Sequence, residues 1–358
     1  MKMNRIHAPR LHCARLARGL ARAGVLILLA GSSGAGEVET LRAQATAIFG
    51  SLPENAATEA RPMTPGLVEL GRALYYDPRL SKNHDISCNS CHPLDRFGAD
   101  GEATSPGHRG QRGGRNSPTS LNAALHIAQF WDGREPDVEA QAKGPVLNPI
   151  EMAMPSEAAV VAVLVSIPGY APLFAAAFPD EPKPITYDNM ASAIGAFERG
   201  LLAPSPFDAF VSGDDEAISA KAVKGANLFI ASGCVTCHSG PAFGGGMFRK
   251  IGQVHAYPTS DIGREAVTGR PEDRYVFKVP SLRNTAQTGP WFHDGGVTSL
   301  DEAVRLMAYH QLGLELSQTD RTSLIAFLET LTAAPNGAYV AKPELPESGP
   351  DTPAPDPS

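Results

Sequence analysis

The sequence has few of the signals that predict β-strands, and its apolar residues recur instead at helical spacing. Helical periodicity is clear in four segments, 157–166, 187–200, 300–309 and 318–331. Hydrophobic residues make up 42% of the 358 residues, which is enough for a buried core and for two domains of ordinary size. We therefore predict a mainly α protein.

Cysteine is also scarce, with five residues in the chain. Four of them form two copies of the pattern Cys-x-x-Cys-His, at 88–92 and 234–238. In this pattern the two thiols attach a c-type haem and the histidine binds its iron. A zinc site or a thiol redox motif does not require histidine at the fifth position, and neither explains the repeat. We predict two covalently bound haem c groups and no disulfide in the mature chain, with the haems attached to Cys88, Cys91, Cys234 and Cys237.

Acidic residues are absent from residues 1–36, which carry six basic residues. The basic stretch leads into a short apolar segment, 24–30, which is too short to span a bilayer, and small residues follow it. This order is typical of a secretory signal peptide, assigned here to residues 1–35 with cleavage after Ala35. The basic part is unusually long, so a downstream start codon or an uncleaved anchor are alternatives. Export to the periplasm agrees with the haem motifs, because bacteria attach haem c outside the cytoplasm.

Positive charge is in short supply in the remainder of the chain. Loss of the six basic residues with the signal peptide takes the formal net charge from −7 to −13. An acidic surface disfavours nucleic acid and favours a basic, freely diffusing protein partner.

The two haem motifs follow similar segments, 70–76 and 224–229, and each segment is predicted to be a short helix leading into a haem loop. This weak repeat indicates two cytochrome c-like haem domains with long irregular loops. A Pro- and Gly-containing stretch, 202–215, is the predicted junction. The predicted domains are residues 36–204 and 205–341, and the tail 342–358, rich in proline and acid, is predicted to be disordered.

The sixth ligand of each iron decides its function, because a permanent His or Met gives an electron-transfer site and an open position gives a catalytic one. His108 follows the first motif in the glycine-rich segment 107–115, a loop that can rearrange easily. It could bind iron in one state and leave in another, or be an ordinary exposed histidine. After the second motif the candidates are Met247 and Met307, which spacing alone does not separate.

Six segments of the chain resemble the bacterial di-haem cytochrome c peroxidases. Their order and spacing extend from one haem motif to the other and cover almost the whole mature chain. They are 87–92, 128–134, 142–145, 148–152, 279–284 and 292–296. Trp291 departs from the family, which often has Tyr there, and segment 107–115 is richer in Gly and Arg than the family pattern.

The resemblance implies a role for each matching residue. His92 would be the proximal ligand of a low-potential, peroxide-reducing haem, and His108 its displaceable distal ligand. His238 and Met307 would hold a high-potential, electron-transfer haem. Trp131 would lie on the electron path between the haems, with Glu151 and Gln141 in the peroxide pocket. Calcium between the domains would be bound by Asn116, Thr288 and Pro290.

The same resemblance implies that hydrogen peroxide is the substrate, that a small c-type cytochrome or a cupredoxin is the electron donor, and that the protein forms a homodimer. Two alternatives stay open. A related branch oxidises protein side chains, as in maturation of methylamine dehydrogenase, but it has Tyr in place of Met307 and lacks the loop histidine. A di-haem electron carrier without enzymatic activity would leave Glu151 and His108 unexplained.

Overall fold

The computed structural model describes residues 34–358, so the predicted signal peptide lies outside the described residues except for its last two positions. Helices dominate and there is one small antiparallel sheet, which confirms the mainly α prediction. The strands are β1 (Phe248–Lys250) and β2 (Val276–Lys278). The helices are α1 (Gly34–Phe49), α2 (Pro65–Tyr76), α3 (Cys88–Cys91), α4 (Val138–Leu147), α5 (Glu157–Ser166), α6 (Tyr170–Ala177), α7 (Tyr187–Glu198), α8 (Pro206–Val211), α9 (Ala220–Ala231), α10 (Glu265–Thr268), α11 (Leu300–Met307), α12 (Gln318–Glu329) and α13 (Gly337–Val340).

The first core is built on a close crossing of α2 and α7. Helix α2 begins where the Thr64 side chain accepts a hydrogen bond from the Leu67 amide, and Pro65 occupies its first turn. A Cβ at Gly71 would overlap the main-chain oxygen of Ala193 and reach Phe197. Glycine at this position therefore permits the approach of the two helices.

The second core repeats this crossing with α9 and α12. Ser219 caps α9, and a Cβ at Gly225 would overlap the main-chain oxygen of Ser323 and reach Phe327. Both cores use the same contact. A glycine of one helix lies against a main-chain oxygen of the other helix and against the phenylalanine four residues after that oxygen. The weak repeat seen in the sequence thus corresponds to one packing arrangement used twice.

Helical periodicity located the main helices well, and most ends differ by two residues or fewer. The segment predicted as 157–166 coincides with α5, and α7 and α12 each end two residues before the predicted limit. At 300–309 the helix changes form, because α11 ends at Met307 and a π-helical segment, Ala308–Leu312, continues it. Single π-helical turns are rare and occur frequently at functional sites.

The first described helix packs on the second core, although the sequence analysis assigned residues 36–204 to the first domain. Leu41, Ala45 and Phe49 lie four residues apart on one face of α1 and are buried. The Phe49 ring stacks on Phe243 with centroids 4.1 Å apart. The apolar face of α1 therefore joins the second core, and the predicted boundary at residue 36 is corrected.

The prediction of a disordered tail is also corrected. Residues 342–358 run over the first core, where Leu345 packs against the buried cluster. The Thr352 hydroxyl donates to the Ser166 oxygen at 3.2 Å, and the Asp356 amide donates to the Lys82 oxygen at 2.9 Å. Low apolar content suggested disorder, but main-chain and hydroxyl hydrogen bonds to the first core hold the segment.

In the part of the chain that the structure describes, no single helix has the length and apolar character to cross a membrane, although the bent pair α5 and α6 meets those criteria when counted together.

Candidate active site

The first haem motif forms the short helix α3, whose start is fixed by reciprocal contacts of Ser87 and Ser90. The following histidine, His92, donates from Nδ1 to the Gly98 oxygen at 3.3 Å. The Tyr75 hydroxyl donates to the His92 oxygen at 2.8 Å and fixes the backbone there. This arrangement leaves Nε2 of His92 as the nitrogen that can bind iron.

The second motif forms a 3₁₀ turn after Gly233, whose φ of 86° favours glycine. His238 donates from Nδ1 to the Phe243 oxygen at 3.1 Å, the same relation that His92 has with Gly98. Burial lowers the pKa of His238 to about 4, so its imidazole is neutral at physiological pH. Neutral imidazole is the form that binds iron.

The four motif cysteines are free and half-buried. Burial raises the pKa of Cys91 and of Cys234 to about 11. Their thiols are therefore protonated and poorly nucleophilic in the folded chain. Raised pKa values disfavour a thiol redox pair, which requires a lowered pKa.

His108 is buried, with 5% of its surface exposed, and so is not an ordinary surface histidine. It begins a tight turn, His108–Gly110, in which Arg109 has a φ of 59°. The His108 amide donates to the Glu151 oxygen at 2.7 Å. Its Nε2 lies 3.1 Å from the Ser358 oxygen, so the tail reaches the predicted distal ligand.

Glu151 lies next to both His108 and the first haem motif. The Asn148 side-chain amide donates to its Oε1 at 2.9 Å. Burial raises the pKa of the Cys91 thiol, and the charges of Asp100 and Glu151 add smaller contributions. Burial raises the pKa of Glu151, while Arg134 and the Asn148 hydrogen bond oppose that rise. The site therefore holds an oriented carboxyl group whose pKa is shifted towards neutral pH.

Gln141 is half-buried on α4, the helix that ends just before Glu151. Its amide N–H donates to the Asp137 oxygen at 3.0 Å, and among the described residues its side chain forms no hydrogen bond. The predicted role of Gln141 in the peroxide pocket stays a prediction.

Trp131 is connected to both parts of the chain. Its indole N–H donates to the Asn116 oxygen at 2.9 Å, and its main-chain oxygen accepts from the Lys278 amide at 2.8 Å. The ring meets the edge of His293, with centroids 6.4 Å apart. Trp131 therefore lies where a first-domain loop meets β2 of the second core.

The candidate calcium ligands belong to two ordered segments. The side-chain amide nitrogen of Asn116 donates to the main-chain oxygen of Glu102 at 3.0 Å, which leaves the Asn116 Oδ1 available as a ligand. Thr288 and Pro290 lie in a loop held by the Trp291 indole, which donates to the Thr285 oxygen at 3.0 Å. Across residues 34–358 no cluster of three or more His, Cys, Asp or Glu side chains could hold a metal. A calcium ion here would therefore rely on neutral oxygens and water.

Met307 is the last residue of α11 and directly precedes the π-helical segment. Helix α11 packs on α12, which packs on α9 ahead of the second haem motif. Val304 of α11 and Cys234 of the second motif both pack against the second core, so the helix that carries Met307 and the second haem motif adjoin one cluster. In the π-helical segment His310 is buried and its Nδ1 donates to the His255 oxygen at 2.8 Å.

Sequence reasoning missed two polar contacts between the halves of the chain. Arg115, which also pairs with Asp132 in its own half, forms an ion pair with Asp261 in the other half. The buried Lys278 lies 3.1 Å from Nδ1 of His126, and burial lowers its pKa to about 8. The partners are 146 and 152 residues apart, so no local pattern could reveal them.

Comparison with known proteins identifies the family of this chain. A family model described as di-haem cytochrome c peroxidase matches residues 65–216. The chain is 44% identical to the cytochrome c551 peroxidase of Pseudomonas aeruginosa over 337 residues, which cover 92% of this chain and 96% of that protein. It is 44% identical to the cytochrome c551 peroxidase of Nitrosomonas europaea, with 86% and 93% covered. It is 38% identical to the methylamine utilization protein MauG of Methylorubrum extorquens, with 80% and 84% covered.

Among solved structures, a MauG-like protein associated with microbial copper homeostasis has a TM-score of 0.73 at 29% identity, covering 82% of this chain and 97% of that chain. The diheme peroxidase BthA of Burkholderia thailandensis has a TM-score of 0.64 at 21% identity, covering 83% and 94%, and supports the fold alone. The similarity extends over both haem motifs and confirms the resemblance seen in the sequence. This chain belongs to the di-haem cytochrome c peroxidase family.

Proposed function

We propose that this chain reduces hydrogen peroxide to water at the first haem site with electrons that arrive through the second. The placement of Glu151 carries the proposal. Its main-chain oxygen accepts from the amide of the predicted distal ligand His108 at 2.7 Å, and its carboxylate is oriented by the Asn148 side chain and has a pKa raised by burial. An electron carrier has no use for an oriented carboxyl group of raised pKa at this place.

The residues present fit two haem c groups, because each motif offers two half-buried thiols and a histidine whose Nδ1 proton is donated to a main-chain oxygen. When bound, haem iron supplies one-electron chemistry and the position at which peroxide is reduced. The first haem would be held by Cys88, Cys91 and His92 with His108 as the displaceable ligand, and the second by Cys234, Cys237, His238 and Met307.

Glu151 would move the proton that peroxide reduction requires. Hydrogen peroxide takes up two electrons and two protons and yields two waters. During cleavage of the O–O bond, one proton must pass from one peroxide oxygen to the other, which leaves as water. Asn148 holds one carboxyl oxygen by its hydrogen bond at 2.9 Å. Burial raises the pKa of Glu151, which favours its role as a group that accepts and returns a proton.

Trp131 would lie on the electron path between the haems. Its hydrogen bonds to Asn116 and Lys278 fix the ring at the junction of the two halves. Calcium bound through Asn116 Oδ1 and the main-chain oxygens of Thr288 and Pro290 would stiffen the same junction.

The remaining parts of the proposal concern the setting of the reaction. The basic and apolar segment within residues 1–35 supports export to the periplasm. The acidic balance of the chain supports a basic small c-type cytochrome or a cupredoxin as electron donor. We also infer a homodimer.

Rapid-mixing absorbance tests the proposal. Peroxide is added to the calcium-loaded holoprotein, once fully ferric and once with the second haem reduced. Reaction of the half-reduced form alone supports a peroxidase gated by His108. Rapid reaction of the ferric form indicates an open site and favours either a peroxidase that needs no activation or the side-chain-oxidising branch. Absence of reaction in both forms would refute peroxide reduction.

The variant His108→Gly tests the gate separately. It should react with peroxide without prior reduction, because glycine cannot occupy the distal position. An inactive variant in every redox state would show that His108 is not the gate.

A further inference from the structure

The loop that carries His108, residues 107–115, is anchored at its two ends to different halves of the molecule. At its start the His108 amide donates to the Glu151 oxygen at 2.7 Å, within the first core. At its end Arg115 forms an ion pair with Asp261, which precedes β2 and belongs to the second half. A movement of the second half relative to the first therefore reaches this loop through its last residue.

The geometry of Arg115 is that of a fixed anchor. Its guanidinium donates to both oxygens of Asp261, from Nε at 2.7 Å and from Nη2 at 2.9 Å. Its third nitrogen, Nη1, donates to Asp132, the residue after Trp131. Arg115 and Asp261 each keep 22% of the side chain exposed, so solvent screens the pair only partly. Two-point pairing of this kind fixes orientation as well as distance.

A chain of hydrogen bonds closes a ring around this ion pair. The Asp261 amide donates to the Thr259 hydroxyl at 3.1 Å, and that hydroxyl lies 2.9 Å from Nε2 of His293. The main-chain oxygen of His293 accepts from the main-chain amide of Asn116 at 2.8 Å. Asn116 directly follows Arg115, so this hydrogen bond closes the ring. The end of the loop is thus held by side-chain and main-chain contacts together.

The other arginines of the loop do not make such a link. Arg109 is exposed. Arg112 pairs with Glu102 at the surface, where the side chains are 47% and 51% exposed, and exposed pairs of this kind contribute little. Both Arg112 and Glu102 belong to the first half of the chain.

The glycines between His108 and Arg115 leave room for the loop to rearrange. A Cβ added at Gly110, Gly113 or Gly114 would meet nothing within 4 Å. The Gln111 side chain donates to the Pro149 oxygen at 3.3 Å and Arg112 pairs with Glu102, and both of these contacts are within the first half of the chain. Because one end of this glycine-rich segment is attached to the second half of the chain, a displacement of that half can change the conformation of the segment.

We propose that Arg115 is a positioning residue that couples the second half of the molecule to the His108 loop through its ion pair with Asp261. The inference rests on the proposed gating of the first haem site by His108. In this proposal, the Arg115 side chain transmits the effect of reducing the second haem to His108, the distal ligand of the first.

The test uses calcium-loaded holoprotein and the variant Arg115→Gln, with Asp261→Asn as an independent way to break the same pair. The readout is the ligation state of the first haem, followed by absorbance and electron paramagnetic resonance as the second haem is reduced. Uncoupling should weaken the effect of second-haem reduction on the ligation equilibrium of the first haem at least about tenfold, within the usual range of equilibrium coupling between sites. The ferric spectra and the potential of the second haem should stay as in the parent protein. The surface variant Arg112→Gln is the matched control and should behave as the parent.

A double variant separates this inference from the proposed function. His108→Gly combined with Arg115→Gln should react with peroxide as fast as His108→Gly alone, because the loop no longer blocks the site. Normal ligation switching in Arg115→Gln and Asp261→Asn would overturn the role of Arg115, and so would a double variant that is inactive while His108→Gly is active. An inactive His108→Gly would instead overturn the gate itself.

Discussion

The carboxyl of Glu151 is held by a single side-chain hydrogen bond from Asn148, and its pKa is raised by burial. In the variant Glu151→Gln the amide keeps the size and the hydrogen bond but cannot accept and return a proton. We expect the rate of peroxide reduction to fall about 10²- to 10⁴-fold, the usual contribution of a positioned acid–base group. Steady-state turnover with an artificial electron donor measures the effect.

Glu157→Gln is the matched control for this change. Glu157 is exposed in the first turn of α5, so its replacement should leave turnover unchanged. Normal turnover in Glu151→Gln would show that another group moves the proton.

Another buried carboxyl, Glu198, should make stability depend on pH. Burial, reinforced by the charge of Glu139, raises its pKa from 4.5 to about 8. The folded chain keeps this proton at a pH where the unfolded chain has lost it. The contribution of Glu198 is therefore complete below about pH 4.5 and is lost as the pH rises towards about 8. Glu198→Gln should remove this dependence.

Thermal unfolding of the holoprotein between about pH 5 and about pH 8 measures the difference. The Tm of the parent should fall relative to that of Glu198→Gln as the pH rises. The exposed Glu59→Gln serves as control and should follow the parent. Parallel curves for the parent and Glu198→Gln would contradict the raised pKa.

At the scale of the helices, the glycine crossings should be intolerant of any side chain. Alanine at Gly71 or at Gly225 would place a methyl group against a main-chain oxygen of the partner helix. Overpacking of this kind destabilises by about 1–3 kcal/mol, and a carbonyl within a helix can yield little. Each variant should therefore unfold at a lower temperature than the parent.

Gly246→Ala is the control, because an added Cβ there meets nothing within 4 Å. A Tm for Gly71→Ala equal to that of the control would mean that the crossing can open without loss of stability.

The elements differ in how far the sequence could predict them. Helices α5, α7 and α12 follow from periodicity because their buried faces recur every three to four residues. The attachment motifs are equally local, since five consecutive residues carry the chemistry. The place of α1 was not predictable, because its apolar face does not indicate which core it joins. The ion pair of Arg115 with Asp261 spans 146 residues and depends on the complete fold.

For the molecule as a whole, the tail 342–358 joins the C-terminal part of the chain to the first core and reaches His108. Removal of residues 342–358 should therefore loosen a distant loop as well as lower stability. We expect faster hydrogen exchange of the amides in 107–115 and a loss of about 1–3 kcal/mol of stability. Exchange measured by mass spectrometry reports both regions at once.

A chain with an intact tail and the exposed change Glu344→Gln provides the comparison. If the loop exchanges equally fast in the shortened and intact chains, the contact with Ser358 does not restrain it.

The matched helix crossings also bear on the origin of such a chain. If the chain arose from two copies of one haem-binding unit joined in series, both copies would at first have the same helix crossing, with a glycine packed against a carbonyl and a phenylalanine. The loop that carries His108 belongs to the first unit, and the π-helical continuation of the helix that carries Met307 belongs to the second. Both segments lie outside the crossings. Duplicated units can therefore acquire different functions through changes in a segment that carries a ligand, while the helix crossing stays the same.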